Sequence, residues 1–226
     1  MMRKPSLIAF DAYGTLFDAG SGSVEATKRI FSRYLSECDP ARIYARWKVL
    51  HRDRMKLSPF VKEAEIFRLD LIDLYAELNI VPQDASRDLQ EMLKTLNKRA
   101  IFPEAAEVLS VLKRQYRIVI ASNSDHEPLL LSIERNRVAV ESVYSSESLG
   151  VYKPHSDFYL RLCERVGVAP EDVLYVGDSP EEDILGPKRV GMASAFVNRR
   201  GAEIESSFPA PDLEMVDLGG LLAALS

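Results

Sequence analysis

The chain has 226 residues, 46% of them hydrophobic and 28% charged, with a formal net charge of −5. This is the composition of an ordinary globular protein, long enough for one substantial α/β domain with a smaller second lobe. The acidic balance leaves no basic surplus to neutralise phosphates, which excludes nucleic acid as a default partner, and no apolar run reaches the roughly 20 residues that a membrane helix needs.

Leu7–Asp11 reads as a buried strand that stops on a carboxylate, and Gly14 and Thr15 turn the chain directly afterwards. Residues 19–100 then carry helical patterns with no strand between them: GSGSVEATKRIFSRYLSECDP, ARIYARWKVLHRDRMKLS, PFVKEAEIFRLDLIDLYAELNI and SRDLQEMLKTLNKR. They predict a helical lobe entered through Asp18–Gly22, where Gly20 and Gly22 suit a hinge, and left near Ala100–Pro103. The alternative is one long helical connection packed on a sheet. Further strands are predicted at Arg117–Ser122, Ser142–Ser146, Asp172–Asp178 and Ala193–Asn198, alternating with helical patterns over 103–115, 126–136, 155–167 and 180–191. In the third of these helices Phe158, Tyr159, Leu162, Cys163 and Val166 form one stripe and Gly167 supplies a stop, which makes Cys163 a small core residue. The C-terminal GGLLAALS reads as a short packing helix. Cys38 and Cys163 make no disulfide framework, and the apolar stretch after MMRKPS is too short for a signal-peptide core, so a cytoplasmic location is expected.

Strand–helix alternation of this kind predicts an α/β protein with a doubly wound parallel-sheet, Rossmann-like core over residues 1–18 and 101–226. Residues 19–100 form the inserted α-helical domain. Functional groups in such sheets gather beyond the carboxyl ends of the strands, where strand order reverses.

Polar groups stand at those strand ends. Asp11 and Thr15 follow the first strand, Ser122, Asn123 and Ser124 the second, Lys153 the third, and Asp178 the fourth, with Glu181, Glu182 and Asp183 just beyond. Carboxylates brought together repel by roughly 4 kcal/mol per pair at about 4 Å and an effective dielectric near 20, so such a cluster takes up protons or binds a cation. Oxygen donors without His or Cys beside them suit Mg²⁺. An ionised aspartate near Mg²⁺ and lysine can attack an electrophile covalently, while Ser122 and Asn123 can donate hydrogen bonds to the group being transferred. Taken singly, each of these residues is as well explained as a cap, a turn residue or a solvated lysine. Four strand ends in chain order, all polar and mutually complementary, are what carries the reading.

These stretches resemble the haloacid dehalogenase-like hydrolase superfamily: DAYGTLFD (11–18), ASNS (121–124), VYKP (151–154) and VGDSPEED (176–183) look like its four motifs, and the helical insert sits where that superfamily carries an α-helical cap. The resemblance implies Asp11 as nucleophile. It implies Mg²⁺ held by Asp11, the backbone carbonyl of Tyr13 and Asp178, with Asp183 or Glu182 acting through water. Thr15, Ser122, Asn123 and Lys153 would position the transferring group.

Two motifs point to different branches. Phosphatases of the superfamily usually carry a second aspartate, a general acid, two residues after the nucleophile. Here that position is Tyr13, and Tyr-Gly-Thr resembles the L-2-haloacid dehalogenase branch, whose members need no metal. ARWKVLHRDRMK (45–56) is vaguely like a cap helix of those enzymes, where Arg42 or Arg46 would bind a substrate carboxylate. Asp178 and Asp183 argue the other way, because an added carboxylate repels an anionic 2-haloacid, whereas a phosphate ester benefits from the metal those acids recruit. The expectation is therefore a Mg²⁺-dependent phosphatase acting on a small phosphorylated metabolite through an aspartyl-phosphate. The alternative is an (S)-2-haloacid dehalogenase acting through an aspartyl ester. Two further alternatives are a phosphonatase-like enzyme using one of Lys28, Lys48, Lys56 or Lys62, and a catalytically weak binding or regulatory protein. Tyr13 is expected to pack under the cap, and His51 and Asp53 are acid candidates by residue type alone, a solvated helix face explaining them equally well. His126 and His155 are too isolated for a metal site, and His155 fits a local role at a helix start. The expected partner is a small-molecule substrate, with neither nucleic acid nor membrane, and the protein is either a monomer or a homodimer.

Overall fold

The computed structural model describes residues 3–96 and 98–225. Met1, Met2, Asn97 and Ser226, which fall within the spans and helical patterns above, lie outside the described residues. The chain divides into two units, Met1–Asp18 with Ala100–Ser226, and Ala19–Arg99.

The first unit is a parallel sheet of β1 (Leu7–Phe10), β2 (Arg117–Ser122), β3 (Ser142–Ser145), β4 (Val173–Gly177), β5 (Ala193–Val197) and β6 (Leu213–Met215), in the order β3-β2-β1-β4-β5-β6. Helices α5 (Pro103–Leu112), α6 (His126–Arg135), α7 (Ser146–Leu149), α8 (Ser156–Val166), α9 (Gly186–Arg189) and α10 (Gly219–Ala224) complete it. Alternation along β1 explains the two layers. Ile8 and Phe10 point into a core with Val108, Leu109 and Leu112 of α5, Leu129 of α6 and Leu221 of α10. Leu7 and Ala9 face the opposite core, built on Phe158, Tyr159, Leu162 and Cys163 of α8. With both faces covered, β1 is apolar at every position and wholly buried. Strand order reverses at β1, which pairs with β2 on one side and β4 on the other, so the crevice of a doubly wound sheet opens where Asp11 and Asp178 follow those strands.

The second unit consists of α1 (Gly22–Phe31), α2 (Pro40–Met55), α3 (Glu63–Glu77) and α4 (Ala85–Leu96). Its core joins Ile30, Phe31, Trp47, Phe67, Leu71, Leu74, Tyr75 and Met92, with the Trp47 ring edge-on to both Phe31 and Phe67. Asp88 is fully buried and accepts hydrogen bonds from the Tyr34 and Tyr75 hydroxyls at 2.6 Å as well as pairing with Arg33. No helix among the described residues is long and apolar enough to cross a membrane.

Two elements differ from the sequence reading. The expected helix over 180–191 begins instead as a wider π-type turn over Pro180–Leu185, followed by the short α9. Asp183 reaches back to accept from the Ser179 backbone N–H at 2.9 Å, while the Ser179 hydroxyl accepts from that of Glu182, and these bonds wind the segment. The short strand β6 was not expected, since three residues carry too little periodicity to register.

Candidate active site

Asp11 leaves the end of β1 with its backbone N–H bonded to the Val176 carbonyl at 2.8 Å, which fixes it beside β4. One carboxylate oxygen, Oδ1, accepts from the Ser122 hydroxyl at 2.8 Å and from Lys153 Nζ at 2.7 Å. Both bonds fall on Oδ1, so the arrangement orients the carboxylate.

Lys153 is the centre of the charge arrangement. Its side chain has no solvent exposure and bridges Asp11 and Asp183, each at 2.7 Å, with Glu182 at 4.0 Å. Its Nζ also lies 5.3 Å from the centre of the Tyr175 ring, whose hydroxyl donates to the Ala121 carbonyl at 2.5 Å. Burial opposes the charge on Lys153, but Asp11 and Asp183 outweigh it and hold the ammonium well above its ordinary range. It is a cation at any physiological pH.

Carboxyl groups outnumber that cation. Asp11, Asp178 and Asp183 offer oxygens that all lie within 4.8 Å of one another. Burial, and then the charges of Asp11 and Asp183, push Asp178 up to about 7 against the pull of Lys153 and Arg200. Burial lifts Asp183 to about 6 although Lys153 pulls it down. Loss of solvent raises Glu182 to about 8, with Lys153 opposing and Asp183 and Asp11 adding to the rise. Such a cluster holds protons, or a cation in their place.

Two glycines make the crowding possible. A Cβ on Gly14 would collide with the Asp178 carboxylate, and one on Gly177 with Asp183. Gly14 also has φ +98°, so it supplies both the turn and the close approach. The fully buried Thr15 directs its hydroxyl to Asp178 Oδ1 at 3.4 Å.

The geometry gives several of these residues partners that the sequence does not state. The Asn123 amide is occupied with the backbone of Lys153, accepting from its N–H at 2.8 Å and donating to its carbonyl at 3.1 Å, and it also donates to Glu182 at 3.1 Å. It aligns the lysine-bearing loop. Asp183 accepts hydrogen bonds from Lys153 Nζ at 2.7 Å and from the Ser179 N–H at 2.9 Å. Tyr13 is half-buried and packs against the core beside Phe17, and its hydroxyl lies 3.3 Å from that of Ser132 on α6. His51 is not on a solvated face: it lies 2.7 Å from Asp70 and 3.6 Å from Glu63, beside Arg54, which also bonds Asp70. Asp53 is exposed, as a solvated helix face would have it. Arg46 forks onto Glu77 at 2.5–3.1 Å, committing its guanidinium, while Arg42 is exposed. His155 accepts from the Asp157 N–H at the start of α8, a local cap. Cys163 is buried, and burial raises its thiol to about 11.

Sequence reasoning missed Tyr175, Ser179 and Arg199. Tyr175 is hidden because its hydroxyl bonds Ala121 across the fold, whereas Ser179 caps the turn that follows it and its Ser-x-x-Glu spacing to Glu182 is a local signal. Arg199 had a signal in the sequence, a basic pair directly after a strand at its carboxyl end.

A family model of haloacid dehalogenase-like hydrolases matches residues 5–191. The chain is 27% identical over 212 residues to (S)-2-haloacid dehalogenase 4A of Burkholderia cepacia, covering 88% of this chain and 85% of that enzyme. The solved L-2-haloacid dehalogenase of Xanthobacter autotrophicus superposes with a TM-score of 0.82 at 25% identity, over 100% of this chain and 98% of its own. A glyceraldehyde 3-phosphate phosphatase of Methanopyrus kandleri is 36% identical, but over 76 residues, 32% of this chain and 33% of that enzyme. With its four strand-end motifs on a doubly wound sheet and the family model spanning both units, the chain belongs to the haloacid dehalogenase-like hydrolase family.

Proposed function

We propose that the protein is a hydrolytic dehalogenase of short (S)-2-haloacids. The observation that carries this reading is at Tyr13. A phosphate ester releases an alkoxide, which needs a proton, yet the position two residues after Asp11 holds a tyrosine whose hydroxyl lies 3.3 Å from that of Ser132 on α6. A halide departs as a stable anion and needs no proton donor. Relatives that span nearly the whole chain, the helical unit included, are dehalogenases, so the alternative has stronger support than the phosphatase expectation.

In this reading Asp11 Oδ2 attacks C2 of the substrate, an ester C–O bond forms, and the carbon–halogen bond breaks with its electron pair leaving on the halide. Lys153 and Ser122 hold Oδ1 and keep the carboxylate in line. Water then adds to the Asp11 ester carbonyl, a neighbouring carboxylate takes its proton and passes it to the departing C2 oxygen, and the 2-hydroxyacid leaves as the Asp11 carboxylate is regenerated.

A second reading, the Mg²⁺-dependent phosphatase, is favoured by one observation, the convergence of Asp11, Asp178 and Asp183 oxygens within 4.8 Å. This hard oxygen donor set fits Mg²⁺, which those residues and the Tyr13 backbone carbonyl would hold. The ion would supply charge compensation for a phosphoryl group. The same three acids then serve the phosphatase, while in the dehalogenase Asp183 is the acid that acts through its raised proton affinity.

The test measures halide release from (S)-2-chloropropionate in EDTA against phosphate release from a metabolite panel with Mg²⁺. EDTA-resistant halide release is expected. Mg²⁺-dependent phosphate release without halide release would replace the first reading with the second.

A further inference from the structure

We propose that Arg199 is a positioning residue for the reaction, clamping the loop that follows Asp11. Arg199 sits one turn past β5, and β5 lies beside β4, so the residue arrives at the same edge of the sheet as Asp178. The turn presenting it is braced by Asn198, whose side chain accepts from the Ala202 N–H at 2.7 Å and donates to the Ala202 carbonyl at 3.0 Å. From there the guanidinium donates to two successive backbone carbonyls, Gly14 at 3.3 Å and Thr15 at 3.0 Å. The Nη2 that meets the Thr15 carbonyl also lies 2.6 Å from the Glu104 carboxylate, and the guanidinium carbon lies 3.6 Å from the centre of the Phe102 ring.

One side chain thus ties together the loop after β1, the loop after β5 and the first turn of α5. The loop it holds is the one that sets the site. The Asp178 carboxylate fills the space that a Cβ on Gly14 would take, and Thr15 sends its hydroxyl to that same carboxylate. With the Gly14 and Thr15 carbonyls fixed from one side and Asp178 resting on the other, the spacing between Asp11 and Asp178 cannot drift. A guanidinium is the group for this work, because a rigid planar fork can serve two carbonyls and a carboxylate while stacking on a ring. The ammonium of a lysine lacks both the plane and the fork.

The inference rests on the reading of Asp11 as the attacking group, and the experiment separates the two. Arg199→Lys and Arg199→Ala are compared with the unaltered protein in kcat and KM for halide release, and in hydrogen exchange of the 12–17 backbone amides without substrate. Both variants should lose about 10- to 100-fold in kcat, the cost of misplacing a reacting group by about 1 Å, with KM changed only a few-fold. Low millimolar guanidinium should restore part of the kcat of Arg199→Ala, which a simple loss of stability would not allow. Exchange should rise at 12–17 and remain unchanged over β4 and α8. A kcat within about twofold of the unaltered enzyme overturns the proposal, as does a loss with uniformly raised exchange and no guanidinium response. If Arg199→Ala fails to fold, Arg199→Lys decides by the same exchange pattern. If the unaltered protein releases no halide, the dehalogenase reading falls, and exchange confined to 12–17 in Arg199→Lys still supports the clamp, whereas unchanged exchange there refutes it.

Discussion

Replacing Asp178 by asparagine removes one negative charge from a crevice where Asp11, Glu182 and Asp183 already crowd the Lys153 ammonium. The variant should stabilise the metal-free protein at alkaline pH. Folding pushes the Asp178 carboxyl from its ordinary 3.8 up to about 7. An acid raised in this way favours the folded state fully below pH 3.8, and that advantage drains away as pH rises through about 7. The interval amounts to up to roughly 4 kcal/mol, and partial solvent access to Asp178 reduces the expected gain to about 2 kcal/mol. Urea denaturation in EDTA at pH 4 and pH 8 reads it directly, since the asparagine carries no such pH dependence. Asp178→Asn should be more stable than the unaltered protein by about 2 kcal/mol at pH 8, with the difference nearly gone at pH 4. An equally stable or less stable variant at pH 8 would refute the charge accounting. The same variant also separates the two functional readings, because halide release should survive it while a Mg²⁺-dependent phosphatase should not.

Lys153→Met leaves Asp11 and Asp183 buried without their shared cation. It should cost about 3 kcal/mol or more in denaturant titrations and abolish turnover, and undiminished stability would contradict the pairing. Tyr13→Phe removes the 3.3 Å contact with Ser132 while keeping the ring. It should cost about 1 kcal/mol and preserve halide release, whereas loss of turnover in a stable variant would mark Tyr13 as the proton donor after all. In the helical unit, burial opposes the charge on His51 but Asp70 and Glu63 outweigh it, raising the imidazole from 6.5 to about 9. The stability this confers is complete below pH 6.5 and lost as pH rises through about 9, so His51→Gln should melt lower at pH 6.5 and match the unaltered protein by about pH 10.

The parts of this protein legible in its sequence are those encoded locally. The four apolar residues of β1 and the stripe over α8 show their periods directly, and both elements fold where the pattern places them. Asp11, Ser122, Lys153 and Asp178 were visible as polar residues at strand ends, and the sheet order brings those ends to one crevice. Partnerships set by chain segments far apart were not legible. Asn123 reads as a hydrogen-bond donor for substrate until the Lys153 backbone, distant in sequence, is placed against it. His51 reads as surface until α3 brings Asp70 to it. Arg199 stands 185 residues from the Gly14 carbonyl it holds, and no local pattern states that distance can vanish.

The account turns on Asp11 as the group that forms a covalent ester. A single turnover in H₂¹⁸O, with enzyme in excess over (S)-2-chloropropionate, tests it by mass spectrometry of the product and of the peptide carrying Asp11. The account predicts unlabelled 2-hydroxyacid and ¹⁸O in the Asp11 carboxylate, because water attacks the ester carbonyl and the product takes its oxygen from the enzyme. First-turnover product carrying ¹⁸O, with Asp11 unlabelled, would show direct attack by water and contradict it.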